Sequence, residues 1–376
     1  MHYKILNKIS DFSNYMDRTR EFRHQKQIIK DKLEVINKVQ WSDSQTKEYN
    51  EFWLKNYGYI PAVEHCKYFE AINGIYNYKY IPRALYARVI EPRMNLPKIC
   101  STFELKSLQE TLFRGINDLR VPSNYLSCTD GYYCTNDSLV TKKTAIKEIS
   151  DIGMSLIKPS YYTSSGKKVR ILNLNNGVDS ISGENIDDIF SSYGKYFVIQ
   201  ELVIPSREIR KLSLKSVNTF RIVTFIMDGT VHCGPVAFRI GVGQSITDNE
   251  SSGGYATGVH SDGTLYSKAF SYENDKFDKF MEFEKHPDTG TVLDGFYIGD
   301  IEKIKEVACR AHSRIPNLGV LSWDFTLDEN DNVTFIELNT MYCGIDLNQV
   351  ATGESLFGDY TEQMLKSFFK AKKIGL

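Results

Sequence analysis

Apolar residues Phe22, Ile28, Ile29, Leu33 and Ile36 recur at helical spacing among Arg18, Arg20, Arg23, Lys26, Lys30 and Lys32, so residues 1 to about 60 read as amphipathic helix. Asp17, Glu21, Asp31 and Glu34 are interspersed, which predicts a solvated face rather than a nucleic-acid arm. Pro61, Pro82, Pro92 and Pro97 punctuate the next stretch, where Tyr76, Tyr78 and Tyr80 alternate as a strand would. A helix is predicted from Ser101 to Leu119, capped by Ser101 or Thr102. Short strands then follow at 155–158, 168–172, 196–204, 219–227 and 231–240, with turn signals at 164–166 and 228–229. Helices at 301–313 and 360–372 flank a last hairpin. This mixture predicts an α+β fold, not a doubly wound parallel sheet.

The chain's 376 residues allow two or three domains at roughly 100 to 200 residues each, and we divide it at 1–100, 101–205 and 206–376. Hydrophobic residues make up 41%, enough for a sizeable core, so the chain does not read as disordered. Lys+Arg 46 against Asp+Glu 47 leaves a net charge of -1, so no bulk field draws it to nucleic acid or an anionic membrane. Any phosphate must be met by local groups. No run approaches the roughly 18 apolar residues of a membrane span, and Lys4 and Lys8 interrupt the start, which reads as cytoplasmic. Cys66, Cys100, Cys128, Cys134, Cys233, Cys309 and Cys343 contain no C-x-x-C pair and read as reduced thiols.

The segment 320–339 holds the most chemistry. Its polar run Asp328 to Asn332 reads as a turn between two apolar strands. A turn centred between Asn330 and Asp331 pairs Asp324 with Glu337 and Phe325 with Ile336. Asn339 then shares the Glu337 face, while Trp323, Phe325, Leu327, Ile336 and Leu338 fill the other. Two carboxylates opposite one another require positive charge between them. Asp324, Glu337 and Asn339 offer three hard oxygen ligands suited to Mg²⁺; a solvated acidic hairpin is the plain alternative.

Lys158 ends an apolar strand before Pro159 and a small-residue loop containing Ser164, Ser165 and Gly166, a pattern able to neutralise and cover phosphates. No P-loop and no G-x-G-x-x-G is present. Gln200-Glu201-Leu202-Val203 presents a strand edge whose backbone can meet an adenine, and Glu208 lies within reach of ribose hydroxyls. Arg221 and Arg239 interrupt apolar strands, so each must face a carboxylate or a phosphate. His260 and His286 are the nearest histidines; structural hydrogen bonding is the commoner role for such residues.

In this order the features resemble the ATP-grasp superfamily, in particular the sugar-transfer-associated ATP-grasp family. The resemblance spans about residues 100 to 355, on Lys158-Pro159, Gln200-Glu201-Leu-Val, Ser216-Val-Asn-Thr-Phe-Arg221, Asp248-Asn249 with Gly253-Gly254, His286-Pro-Asp-Thr-Gly290, Ser322-Trp-Asp324, Glu337-Leu-Asn339 and Asp346-Leu-Asn-Gln349. Ser322 stands where the family often has Gly. The resemblance implies an ATP-grasp fold of two α+β lobes, 101–205 and 206–376; the mostly helical N-terminal extension carries no motif of the family and is the candidate acceptor site. It implies that ATP phosphates meet Lys158 beneath the 163–168 loop, and that adenine meets the backbone of Glu201, Leu202 and Val203, with ribose at Glu208. Mg²⁺ is then held by Asp324, Glu337 and Asn339, and Arg221 and Arg239 serve the transferring phosphoryl group. A second, upstream lysine is placed at Lys106, with Lys142 and Lys143 as competitors. The implied activity is ligation of a carboxylate to an amine through an acyl phosphate, on a sugar carboxylate or amino acid in polysaccharide or capsule synthesis, beside glycosyltransferase-pathway enzymes. A sugar kinase and a non-catalytic nucleotide-binding scaffold are the alternatives.

Overall fold

Ser42 starts the first long helix by local chemistry: its hydroxyl accepts from the Gln45 amide while the Gln45 side chain accepts from the Ser42 amide. The helix Asp43–Tyr57 ends at Gly58, whose left-handed φ of 73° closes the last turn. Its face of Tyr49, Phe52, Trp53 and Tyr57 is buried with the helix Glu64–Asn73 and, farther along the chain, Tyr80 and Ile81. The computed structural model describes residues 23, 27, 29–161, 168–213, 215–249, 252–271, 281–341 and 343–374.

Strand β1 (Leu119–Arg120) crosses to the later sheet. The next seven are β2 (Asn124–Thr129), β3 (Tyr132–Thr135), β4 (Ser138–Val140), β5 (Gly153–Pro159), β6 (Arg170–Asn175), β7 (Val178–Asp179) and β8 (Tyr196–Glu201). They form an antiparallel sheet in the order β4-β3-β2-β8-β5-β6-β7. Helices Lys142–Ile149 and Ile186–Tyr193 cover one of its faces through Ala145, Ile149, Ile189 and Phe190. Residues 202–204 then lead to Pro205, which bridges Asp328. Strands β9 (Thr219–Met227), β10 (Thr230–Ile240), β11 (Tyr255–Gly258), β12 (Ala269–Ser271), β13 (Met281–Phe283), β14 (Val320–Leu327) and β15 (Val333–Asn339) make the large sheet with β1, in the order β1-β15-β14-β9-β10-β11-β12-β13. Two sheets with helices packed on their faces give the expected α+β class of fold.

The large sheet is covered differently on its two faces. Phe220, Ile222, Phe238, Leu321, Trp323 and Phe335 pack with the helix Ile301–His312. Val223, Phe225, Ala237 and Val320 face the other way, against the N-terminal helices and the helix Ile345–Thr352. Side chains repeat with period two, so Arg221, Asp324 and Arg239 share this second face, beyond the part that the helices cover. Polar clasps fix that cover. The Gln349 side chain accepts from Ile81 N at 2.7 Å and donates to Ile81 O at 3.0 Å, and Asn95 bonds Val320 and Thr340.

Several elements differ from the sequence pattern. Tyr76, Tyr78 and Tyr80 form no strand; with no partner strand among the described residues, Tyr76 and Tyr78 hold the Asp43–Tyr57 helix, Tyr76 bonding Gln45 O and Tyr78 O accepting from Trp53, while Tyr80 packs on Phe69 and accepts from Asn73 of the Glu64–Asn73 helix. The helix expected at 101–119 is two helices, Pro97–Phe103 and Lys106–Phe113. The break falls where Glu104 turns its carboxylate to the amides of Thr340 and Met341, 3.0 and 3.1 Å away. Phe325 pairs with Phe335, not Ile336: a β-bulge places Ile336 out of register and half-buried. The turn is therefore one residue tighter than expected, and the bulge restores the expected pairing at Asp324 and Glu337.

Candidate functional site

Four charged residues cross one face of adjacent strands: Glu337 on β15, Asp324 on β14, Arg221 on β9 and Arg239 on β10. Asp324 is 3% exposed. Its Oδ1 accepts from Arg221 Nε at 2.6 Å, and its Oδ2 accepts from Arg221 Nη2 at 3.0 Å and Arg239 Nη1 at 3.1 Å. Arg239 also bonds Asp248 and Asn249, and Thr219 Oγ1 donates to Asp248 at 2.6 Å. Burial pushes the Asp248 carboxyl up, with Arg239 opposing it. The Nη1 of Arg221 is turned toward Gly344, at the start of helix Ile345–Thr352.

The other end of the row meets the small sheet. Lys106, on the helix Lys106–Phe113, donates to Glu337 Oε1 at 2.7 Å. Lys158, near the end of β5, is 8% exposed and has no hydrogen-bond partner among the described residues. Burial, then Lys106, pushes its amine down to about 8, while Glu337 pulls it back up. Burial raises the Glu337 carboxyl, but Lys106, Lys158 and Arg221 together outweigh it and hold it below the usual carboxylate range. The positive charge that two facing carboxylates require is thus divided, arginines at Asp324 and lysines at Glu337. Of the competing lysines, Lys142 is paired with Asp187 at 2.7 Å on the outer helices.

Among the described residues, orphaned polar atoms sit in this region. Asn339 Nδ2 and Ser322 Oγ, on residues paired across β14 and β15, are buried with no hydrogen-bond partner among those residues. Gln200 Oε1 is likewise buried and without a described partner, on the β8 face that carries Val198, the residue paired with Lys158. Such atoms cost about 1 to 3 kcal/mol each unless a ligand or water meets them. The sequence motif drew attention to the backbone here; the Gln200 side chain is the addition, and its only sequence signal was an amide inside an apolar strand.

Glu201 does not face an open edge with its carboxylate, which binds Arg120 and accepts from Ser123 N at 3.3 Å. Arg120 also reaches Asp328 at 3.3 Å, joining the connection between the sheets to the β14–β15 turn. Leu202 and Val203 lie in that connection, outside any strand. Glu208 is exposed and bonded to Lys211 at 2.6 Å. Ser164, Ser165 and Gly166 lie outside the described residues. His286 uses both ring nitrogens, Nε2 bonding Gly241 O and Nδ1 accepting from the amides of Asp288 and Thr289. His260 is exposed and stacks on Tyr266. Asn348 donates to Arg221 O and Pro235 O at 2.8 Å, so this part of the last motif is scaffold.

The two sheets thus meet through a lysine–carboxylate contact beside a paired-acid hairpin. Residues 86–364 match the sugar-transfer associated ATP-grasp family, and the chain belongs to it. Among solved structures it is similar to the VanG D-Ala:D-Ser ligase of Enterococcus faecalis, at 12% identity and TM-score 0.39, over 71% of this chain and 61% of that one. The D-alanyl-alanine synthetase A of Vibrio cholerae O1 biovar eltor matches at 11% identity and TM-score 0.39, over 74% and 67%. The ATP-grasp ligase PsnB, in complex with a minimal precursor, Mg and ADP, matches at 15% and 0.39, over 74% and 62%. The chain thus spans less than two thirds of the first of these ligases. No curated protein matches. Among the described residues no helix is long and apolar enough to cross a membrane.

Proposed function

We propose that this protein is an ATP- and Mg²⁺-dependent ligase that joins a carboxylate to an amine through an acyl phosphate, acting on a sugar carboxylate or amino acid in polysaccharide synthesis. The observation that carries the reading is the contact of Lys106 with Glu337, beside the buried amine of Lys158. A buried, unpartnered lysine amine is costly alone and is relieved by a polyphosphate.

The oxygen donors suit Mg²⁺. Glu337 gives only Oε1 to Lys106, Asp324 Oδ1 accepts a single bond, and the orphaned Asn339 amide can turn its oxygen to the same face. Glu337, Asp324 and Asn339 would hold the ion, which when bound neutralises phosphate charge. Lys106 and Lys158 hold the phosphates from the small-sheet side. The backbone of Glu201, Leu202 and Val203 meets adenine, Gln200 Oε1 accepts from its amino group, and Glu208 exchanges Lys211 for the ribose. Arg221 offers Nη1 to the oxyanion formed on the acceptor. Arg239, with donors already on Asp324, Asp248 and Asn249, acts by holding Asp324 in place.

A sugar kinase is the second reading; of the two histidines nearest the motifs, His286 has both nitrogens engaged and is not available as its base. The test supplies ATP, Mg²⁺, an amino-acid mixture and uronic-acid sugar nucleotides whose carboxylates carry oxygen-18. An amide product with the label in released phosphate is expected. A phosphorylated acceptor with no amide would overturn the reading.

A further inference from the structure

Cys233 and Cys309 lie on the side of the large sheet away from the charged row. Cys233 is on β10, where the ladder with β9 shifts register between Cys233 and Val236, and Cys309 is in the helix Ile301–His312. Their sulfurs are 3.4 Å apart, and Cys233 Sγ lies 3.4 Å from Lys305 O. Neither is fully buried, unlike Cys66, Cys100, Cys128 and Cys343. Cys233 lines an open cleft of about 420 Å³ with His260, Tyr266, Lys305 and Glu354, and Cys309 beside it is itself only part-buried, so a small oxidant can reach the pair.

We propose that Cys233 and Cys309 are a modification site, closing to an intramolecular disulfide on reaction with a peroxide. The Cys309 thiolate attacks one peroxide oxygen; the O–O bond breaks, hydroxide leaves, and the sulfur becomes a sulfenic acid. The Cys233 sulfur then attacks that sulfenic sulfur, its proton leaves with the hydroxyl as water, and the S–S bond forms. Two thiols are oxidised as one peroxide is reduced to two waters. A disulfide needs about 2.05 Å, so the sulfurs must approach by about 1.4 Å, a distance on the scale of side-chain rotation. The hydrogen-bond contact with Cys233, then the nearby Arg310, pushes the Cys309 thiol below its usual value against burial, which favours the reactive thiolate. The bridge would close a loop between residues 76 apart and fasten the helix to the sheet.

The test treats the full-length protein with hydrogen peroxide, alkylates the remaining thiols, and maps non-reduced peptides by mass spectrometry. A peptide pair joining Cys233 to Cys309, abolished by dithiothreitol, is expected, with a reversible rise in Tm of about 5 °C or more. Alkylation of both residues after treatment, or over-oxidised Cys309 beside an alkylated Cys233, would overturn the proposal. Cys309→Ser should leave Cys233 alkylatable and abolish the Tm rise; a rise that persists in this variant would also overturn it.

Discussion

Lys106 on one side of the cleft and Glu337 on the other are joined by a hydrogen-bonded ion pair of 2.7 Å, the contact that brings the two sheets together at the charged row. Glu337 is the one member of the row that meets lysines from the small-sheet side, so its charge state depends on groups from both layers.

Lys106→Met should lower kcat/KM for ATP by about a hundredfold or more, since it removes a preorganised cation from the phosphate path. With burial less opposed, the Glu337 carboxyl rises, and the acid limb of the pH–rate profile should move to higher pH. An unmoved acid limb would show that Glu337 does not control that limb.

Lys158→Met should separate stability from function. The folded-state amine is held at about 8, below its ordinary 10.5, so the folded protein bears a cost at neutral pH that fades as pH rises from about 8 toward 10.5. The variant should be more stable than wild type at pH 7 by up to about 3 kcal/mol, with the gap closing across that window. ATP binding should be lost. In the wild type, titration calorimetry in buffers of different ionisation enthalpy should show proton uptake on ATP binding above pH 8.

Arg221→Lys keeps the charge but not the two-pronged contact with Asp324, which is 3% exposed. It should cost about 1 to 3 kcal/mol by urea unfolding, and Arg221→Met about 3 to 5. Both should lower kcat more than they raise KM for ATP.

Arg120 links Glu201 at the end of β8 to Asp328 at the β14–β15 turn. Arg120→Met should loosen the connection between the sheets, raising KM for ATP about fivefold with a smaller change in kcat. Equal effects on both would argue against a hinge role.

The hairpin acids were legible because Asp328 to Asn332 is an obvious turn and apolar alternation flanks it on both sides. The bulge at Ile336 was not, because one inserted residue leaves the apolar pattern almost unchanged and is decided by packing of Phe335 against Trp323 and Phe325. Tyr76, Tyr78 and Tyr80 misled for the complementary reason: alternation describes a strand only if another strand lies beside it. The resemblance ranks Lys106 ahead of Lys142 and Lys143, but why its helix is aimed at Glu337 was not legible, since the break at Glu104 depends on amides more than 230 residues away. The faces of the large sheet were half legible, the apolar one by period two and the polar one only once its helical cover ended short of Arg221.

Glu337→Gln tests the central claim most directly, because it keeps size and hydrogen bonding but removes the charge that joins Lys106, Lys158 and the metal ligands. ATP turnover measured across a Mg²⁺ titration should fall by about a hundredfold or more, with a higher Mg²⁺ requirement for what remains. Turnover and Mg²⁺ dependence equal to those of the wild type would contradict the assignment of this row as the nucleotide and metal site.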